Sequence, residues 1–593
     1  MKNFVKMTLA TLAGLLIFGF VSFFLMFAVI GALGSIGSSK PAMPDEAVLT
    51  IDMSKTMLTE QTTEADPIAM IQGGGQQVTA VGIWDAINAV NAAAVDPAIK
   101  FIYLKPDGLS GQISYTEEFR NALECFRKTS GKAIVAYTES PSNGSYYLAS
   151  VADKIYMTPY DGAMSMFTGI SSQLIFLKDI LDRLGVNMQL IRHGKYKSAG
   201  EMFIRNSASK ENMEQNQAMV QSLWKSIAGK TAEARGLTIE ELNSTIDNLE
   251  LVFPSDFVEK GLVDELLSME ELQQKLADLY VTDKYEDIKS ISLADYAKLK
   301  KNVNFRVKNK VAVIYANGDI IDGSEKQNVA GDRFAKIIEG VRKDTTVKAV
   351  VLRVNSPGGS VLASEKIKGE LDLLRESVPV IASYGGYAAS GGYWISANSD
   401  YIFSNNTTLT GSIGVFSMIP DFSKAIREKL HVNVTTVNSN SHSDMYSGMR
   451  ALDSKEIAYM QASVENIYGK FTGLVSNGRD MSVEAVDEIA QGRVWTGAEA
   501  IEIGLVDQIG TIEDALNYAA STIDGVSGLN DVQIVEYPKP MTTVEILLEE
   551  LTGNQAALFK GTALEGVEKA FRNIDATSSG KAYARIPYEI ILK

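Results

Sequence analysis

The chain is written twice. The run DPAIKFIYLK at 96–105 returns as DTTVKAVVLR at 344–353, YYLA at 146–149 returns as YWIS at 393–396, and GLVD at 261–264 returns unchanged at 504–507. The offsets are 248, 247 and 243 residues. Solenoid repeats are about 20–45 residues long, so this period is that of a whole copied domain. With 593 residues the chain exceeds what one hydrophobic core organises. Two copies are expected at 47–291 and 311–537. A lysine-rich helical connection at 292–310 joins them, and an extension at 538–593 follows. Within each copy, strand-like runs alternate with amphipathic helices. In the second copy 311–315 and 349–354 read as strands, and Leu362, Ile367, Leu371 and Leu374 mark one helix face. Alternation of this kind with glycine turns predicts an α/β domain whose strands are mostly parallel, with sites beyond the strand C-terminal ends.

Before the first copy, no charged residue occurs between Lys6 and Lys40. The apolar stretch is long enough to span a bilayer and longer than a signal-peptide core, so 7–36 is expected to be an uncleaved transmembrane anchor. Lys2 and Lys6 precede it. By the positive-inside rule the N-terminus is then cytoplasmic and the two domains lie on the other side. Net charge is −16 with no basic block, which argues against a nucleic-acid surface. The single cysteine, Cys125, excludes an internal disulfide. His193, His431 and His442 are too irregularly spaced for a structural zinc site, and no cofactor is implied.

Candidate chemistry sits on two glycine turns of the second copy. In SYGGYAASGGYW at 383–394, an apolar run at 378–382 reads as a buried strand and 393–397 as a short helix ending near Asn398. Ser390 falls where strand becomes helix. A hydroxyl there can attack a carbonyl while the Gly391 N–H, in the first helix turn, meets the oxyanion. The turn NSPGGS at 355–360 follows another strand, and Gly359 could supply a second donor. His431 and His442 leave a histidine base possible by count, yet no G-x-S-x-G elbow occurs. The alternative base is a lysine from HGKYKSA at 193–199, either Lys195 or Lys197 with the other as cationic neighbour. Such a lysine must be neutral. Its pKa has to fall from about 10.4 to about 7–8, which costs about 4 kcal/mol of differential stabilisation.

Taken together, NSPGG at 355–359, YAASGGY at 387–393, TGSIGV at 410–415, RVWTG at 493–497 and GLVD at 504–507 resemble the signal peptide peptidase A family in its long, duplicated form. The likeness runs over essentially the whole chain. It implies a fold related to the Clp peptidase subunit and the crotonases, and a membrane-anchored serine–lysine endopeptidase. Its substrates would be released signal peptides and other small hydrophobic peptides. It further implies a homo-oligomer, a tetramer, in the bacterial inner membrane with its catalytic domains on the periplasmic side. By position in the motifs, Ser390 is the nucleophile, Lys197 of Y-K-S-A the base, and Gly359 and Gly391 the oxyanion donors. The stretch 409–416 helps to line the substrate pocket. Gly200-Glu201-Met202 stands where V-E-P is usual.

The repeat supports this division of labour on its own terms. Carried forward from Tyr146/Tyr393, the register puts Asn143 opposite Ser390; carried from VN at 186–187 and 432–433, it puts Ser443 opposite Lys197. Each copy then holds half of the pair. Two other readings fit parts of the pattern. A crotonase-like acyl-CoA enzyme would use paired N–H donors without the serine, and a silent membrane scaffold would use neither residue.

Overall fold

The computed structural model describes residues 6–8, 11, 13–15, 17–21, 41–63, 78–301, 307–326, 328–540, 545 and 582–586. Most of the expected anchor and nearly all of the extension after 540 lie outside these residues. Among the described residues, no helix is long and apolar enough to cross a membrane.

The duplication appears as two sheets with the same strand order. In the first copy the order is Glu265–Leu266, Lys154–Met157, Ile134–Thr138, Ile99–Lys105, Ala47–Asp52, Ser290–Ser292. In the second, the counterparts are Gln508–Ile509, Tyr401–Ser404, Val380–Ala389, Val347–Ser356, Lys310–Asn317 and Gln533–Tyr537. Every pairing along both rows is parallel. Parallel strands buried on both faces require continuous apolar runs, and Lys310–Asn317 (KVAVIYAN) supplies one. The strands are mostly parallel, as expected, with antiparallel pairs added at the margins. Val494–Thr496 runs antiparallel on Leu409–Gly411, and a third sheet of short strands contains several antiparallel pairs.

Two details depart from the sequence reading. The strand expected at 378–382 continues to Ala389. Its SYGGYAA half lacks an apolar pattern because residues from the first copy pack onto it. A methyl group on Gly385 would stand 2.3 Å from Glu60 Oε1, and one on Gly386 would stand 2.0 Å from Gln112 Oε1. The glycines are therefore close-approach positions inside a strand. In the helix Val361–Arg375, Ile367, Leu371 and Leu374 are buried as expected, but Leu362 is exposed. The inward face begins at Val361 and Ala363 instead.

The two copies are fastened together by buried charge. Helix Ile113–Ser130 of the first copy sets Glu117 and Glu118 against the second. Glu117 accepts from the backbone and side chains of Asn406 and Thr407. Glu118 accepts from Arg353 Nη2 at 2.7 Å, Asn405 Nδ2 at 2.8 Å and Ile512 N at 3.0 Å. Arg353 also donates to Glu60 Oε2 at 2.8 Å. The expected connection at 292–310 opens as the helix Leu293–Lys300, whose Leu293, Tyr296 and Ala297 are buried in the core the copies share.

Candidate active site

Ser390 closes the long strand Val380–Ala389 and caps the helix Gly391–Ser396. Its backbone has φ 55° and ψ −110°, a conformation that an L-residue adopts only under constraint from its surroundings. The constraint is visible: its N–H donates to Gly411 O at 2.8 Å and its C=O accepts from Trp394 N at 2.8 Å. Strain at a buried serine on a strand-to-helix turn is a common sign of a nucleophile.

Lys197 arrives from the first copy. Its strand, Asn187–His193, lies antiparallel on Val415–Asp421 of the second copy, and the chain then folds back toward Ser390. Glycines of the second copy clear the path for the lysine stem. A methyl on Gly492 would stand 2.6 Å from Lys197 Cβ, and one on Gly414 would stand 3.2 Å from Lys197 Cδ. Tyr196 N bonds Gln491 O at 2.9 Å, and Gln215 Nε2 bonds Tyr196 O and Ser198 Oγ, fixing the turn.

The amine and hydroxyl meet. Lys197 Nζ is 2.8 Å from Ser390 Oγ, 3.1 Å from Ser412 O and 3.0 Å from Ser412 Oγ. Both partners are essentially inaccessible, Ser390 at 0% and Lys197 at 1% exposure. Burial pushes the Lys197 pKa well below the ordinary lysine value. A neutral amine has two N–H bonds and one lone pair. In the neutral form, N–H bonds to Ser412 O and Oγ would leave the lone pair facing Ser390 Oγ.

Ser412 was not singled out from the sequence. It lies inside the stretch 409–416 that the resemblance assigns to pocket lining, and a serine there carries no local mark of its contact with Lys197. Its backbone φ of 50° is the trace of its special position, and sequence does not display that.

The glycine turns also converge. A methyl on Gly391 would lie 3.1 Å from Gly359 N, and one on Gly358 would lie 2.8 Å from Gly391 N. Gly359 itself admits no side chain, since a methyl would fall 1.9 Å from Ile320 O. The two amides thus stand side by side next to Ser390.

Residues 582–586 occupy a place beside this site. Tyr583–Arg585 pairs antiparallel with Gly358–Ser360 on one side and meets Phe416 of Val415–Asp421 on the other. Ile586 N donates to Pro357 O at 3.0 Å. The Ile586 side chain is buried with Tyr387, Ala389, Leu409 and Val494 of the second copy and Met219 and Leu223 of the first. This apolar pocket adjoins the residue that precedes Ser390.

Other candidates fall elsewhere. Lys195 is exposed, its Nζ 5.1 Å from the Tyr196 ring centroid, so it is neither the base nor the neighbour that depresses Lys197. His193 stacks on Tyr468 and bonds Glu465, His442 bonds Glu456, and His431 is exposed. Asn143 holds the loop after it, donating to Gly169 O and accepting from the N–H groups of Thr168 and Gly169. Ser443 is exposed and donates to Asn440 O. His442, Asp453 and Glu456 come close enough together for a cation, but Arg450 already bonds both Glu456 oxygens.

A duplicated α/β fold with a serine and a lysine in contact at a strand-to-helix turn is the frame of a hydrolase working through a serine. Residues 126–282 and 372–524 both match peptidase family S49. The chain belongs to that family and is a serine protease. It is 34% identical to Protease 4 of Haemophilus influenzae over 456 residues, 75% of this chain and 73% of that one. With Protease 4 of Salmonella typhi it shares 36% over 487 residues, 80% and 77% of the two chains. It is 29% identical to the chloroplastic serine protease SPPA of Arabidopsis thaliana over 490 residues, 81% and 70%.

Proposed function

We propose that this protease is a membrane-anchored endopeptidase that works through a Ser390–Lys197 dyad on short hydrophobic peptides, released signal peptides among them. The contact of 2.8 Å between a buried, neutral-favouring amine and the hydroxyl carries the reading. Lys197 Nζ takes the hydroxyl proton as Ser390 Oγ bonds to the peptide carbonyl carbon. The carbonyl electron pair moves onto oxygen, where the Gly359 and Gly391 N–H groups receive it. The lysine then returns the proton to the departing amine as the C–N bond breaks. Water, deprotonated by the same amine, releases the acyl group as a carboxylate. A fluorophosphonate probe tests the reading: it should modify Ser390 in the native chain, and a label on any other serine would overturn it.

The pH dependence follows from the direction of the Lys197 shift. Only the neutral amine accepts a proton, so kcat/KM should rise with pH through the depressed pKa and level off above it. Below that pKa the slope should be about tenfold per pH unit, the signature of a single proton. A rate that stays flat through acid and neutral pH would remove the lysine from the base role.

The peptide class is supported by the seat of residues 582–586. The site already accepts an extended strand between Gly358–Ser360 and Val415–Asp421, with a branched aliphatic side chain in its apolar pocket. Main-chain pairing of this kind recognises peptides irrespective of most side chains. If the tail competes with substrate, a chain ending at Lys581 should show a lower KM for a short apolar peptide ester than the full chain. Equal KM values would show that the tail and the substrate use different ground.

The anchor at 7–36 supports placement in the bacterial inner membrane, with the domains on the periplasmic side. Retention of the chain in the membrane pellet after alkaline extraction is the expected result.

A further inference from the structure

The two glycine turns beside Ser390 leave neighbouring strands, and one side chain sets how those strands line up. Val347–Ser356 and Val380–Ala389 pair in parallel as far as Val354 opposite Tyr384, and the next pair is Ser356 opposite Ala388. Asn355 alone therefore stands against Gly385, Gly386 and Tyr387. A bulge of this kind interrupts the ladder and re-aims the chain beyond it. The Asn355 side chain fills the gap. Its Oδ1 accepts from Tyr387 N at 3.2 Å. A methyl on Gly385 would stand 3.1 Å from Asn355 Cβ, and one on Gly386 would stand 3.4 Å from Asn355 Oδ1. Beyond this contact the two segments run equally far, since Gly359 is four residues after Asn355 and Gly391 four after Tyr387.

The first copy keeps half of this arrangement. Carried on from 96–105 and 344–353, the repeat puts Asp107 in the place of Asn355, and carried back from Tyr146/Tyr393 it puts Ser140 in the place of Tyr387. Asp107 Oδ2 accepts from Glu139 N at 2.6 Å and from Ser140 N at 3.3 Å. The first copy has Asn143 where the nucleophile would be, so the accepting half belongs to the fold. The donating half is peculiar to the second copy, because an ionised carboxylate only accepts whereas an amide also donates. Asn355 Nδ2 donates to Asn317 Oδ1 at 2.8 Å and to the Tyr115 hydroxyl at 2.9 Å. Tyr115 is buried and comes from the first copy, on the helix Ile113–Ser130 that also brings Glu117 and Glu118 into the joint.

We propose that Asn355 is the positioning residue of the oxyanion donors and that Tyr115 holds it in place, so that the second copy's two N–H groups reach their working separation only with the first copy docked. This rests on the reading that Gly359 and Gly391 receive the oxyanion. Without the Tyr115 hydroxyl, Asn355 Nδ2 keeps only Asn317, a residue of its own copy. Lys197 meets Ser390 and Ser412 through contacts that involve neither Asn355 nor Tyr115. A misplaced donor weakens the hold on the tetrahedral oxygen and not on the ground-state peptide, so the loss falls on kcat and spares KM.

A short apolar peptide aldehyde and the matching peptide alcohol test this on the full chain. As Ser390 Oγ bonds to the aldehyde carbon, the hydroxyl proton passes to Lys197 and the carbonyl electron pair moves onto oxygen, between the Gly359 and Gly391 N–H groups. The alcohol forms no such bond. The native chain should bind the aldehyde far more tightly than the alcohol. Tyr115→Phe should lower both aldehyde affinity and kcat by about tenfold, the worth of one neutral hydrogen bond. Asn355→Ala should lower them by up to about 10²–10³-fold, the span for a missing oxyanion donor. In both variants KM, alcohol affinity and the pH midpoint of kcat/KM should hold at native values. Equal losses for aldehyde and alcohol would reduce the pair to parts of the fold, and an undiminished aldehyde preference in Tyr115→Phe would show that the donors align without it. Tyr115→Phe removes one oxygen and keeps the ring, so it reads the contact even where Asn355→Ala fails to fold. A native chain with no preference for the aldehyde would overturn the oxyanion reading itself, and the positioning role with it.

Discussion

Replacing Lys197 by methionine should lower kcat/KM by about 10²–10⁴-fold, the span for a lost general base, and abolish fluorophosphonate labelling of Ser390. Methionine keeps most of the stem volume in the slot cleared by Gly414 and Gly492 but has no proton acceptor of comparable strength. The same variant should be more stable than the native chain at neutral pH. Burial depresses the Lys197 pKa in the folded protein, so between the folded and unfolded values the unfolded chain binds the extra proton. Stability then rises with pH across that window, and at neutral pH the lysine works against folding. Methionine removes that opposition. A higher melting temperature together with lost labelling is the expected pair of results. Loss of both stability and labelling would mean that Lys197 holds the site together instead of doing its chemistry.

Much of this site could be read before any coordinates, because its parts lie on features that sequence displays. A duplicated domain is visible as a repeat, and a repeat exposes which copy holds which residue. Ser390 was legible because glycines flank it between a strand run and a helix run, and Gly359 because its turn follows a strand. Motif resemblance then chose Lys197 over Lys195. From local sequence the two are equivalent, and only the fold buries one while the other stays in water. Ser412 was hidden for the same reason: its importance is a distance to a residue 215 positions away in the chain. The strand Val380–Ala389 was half missed because its second half is shaped by Glu60 and Gln112 from the other copy, not by its own periodicity. The antiparallel seat of residues 583–585 could not be anticipated either, since pairing between distant segments leaves no local pattern.

The joint between the copies should be as sensitive as the dyad, in the currency of stability. Arg353 is fully buried and, among the described residues, is the only cation bonded to the carboxylates of Glu60 and Glu118, themselves 1% and 0% exposed. Burial alone would lower the guanidinium pKa, but the two carboxylates hold it raised. Removing one partner of a buried ion pair costs about 3–5 kcal/mol, because the charge left behind has neither water nor a counter-ion. Arg353→Met should therefore destabilise the chain by at least that much in urea titration. Ser390 labelling should fall with it, since Lys197 and Ser390 come from opposite sides of this joint. Glu60→Gln should behave differently. Burial is the largest influence on Glu60 and raises its pKa against the pull of Arg353, so the folded chain holds that proton more tightly than the unfolded one. The carboxylate's unfavourable contribution grows as pH rises through the folded pKa and is complete above it. An uncharged glutamine avoids it, while Glu118 still neutralises Arg353. At neutral pH Glu60→Gln should match or exceed the native stability, and Arg353→Met should fall far below it. If the two substitutions cost the same, the joint is held by shape alone and the buried charges are incidental to it.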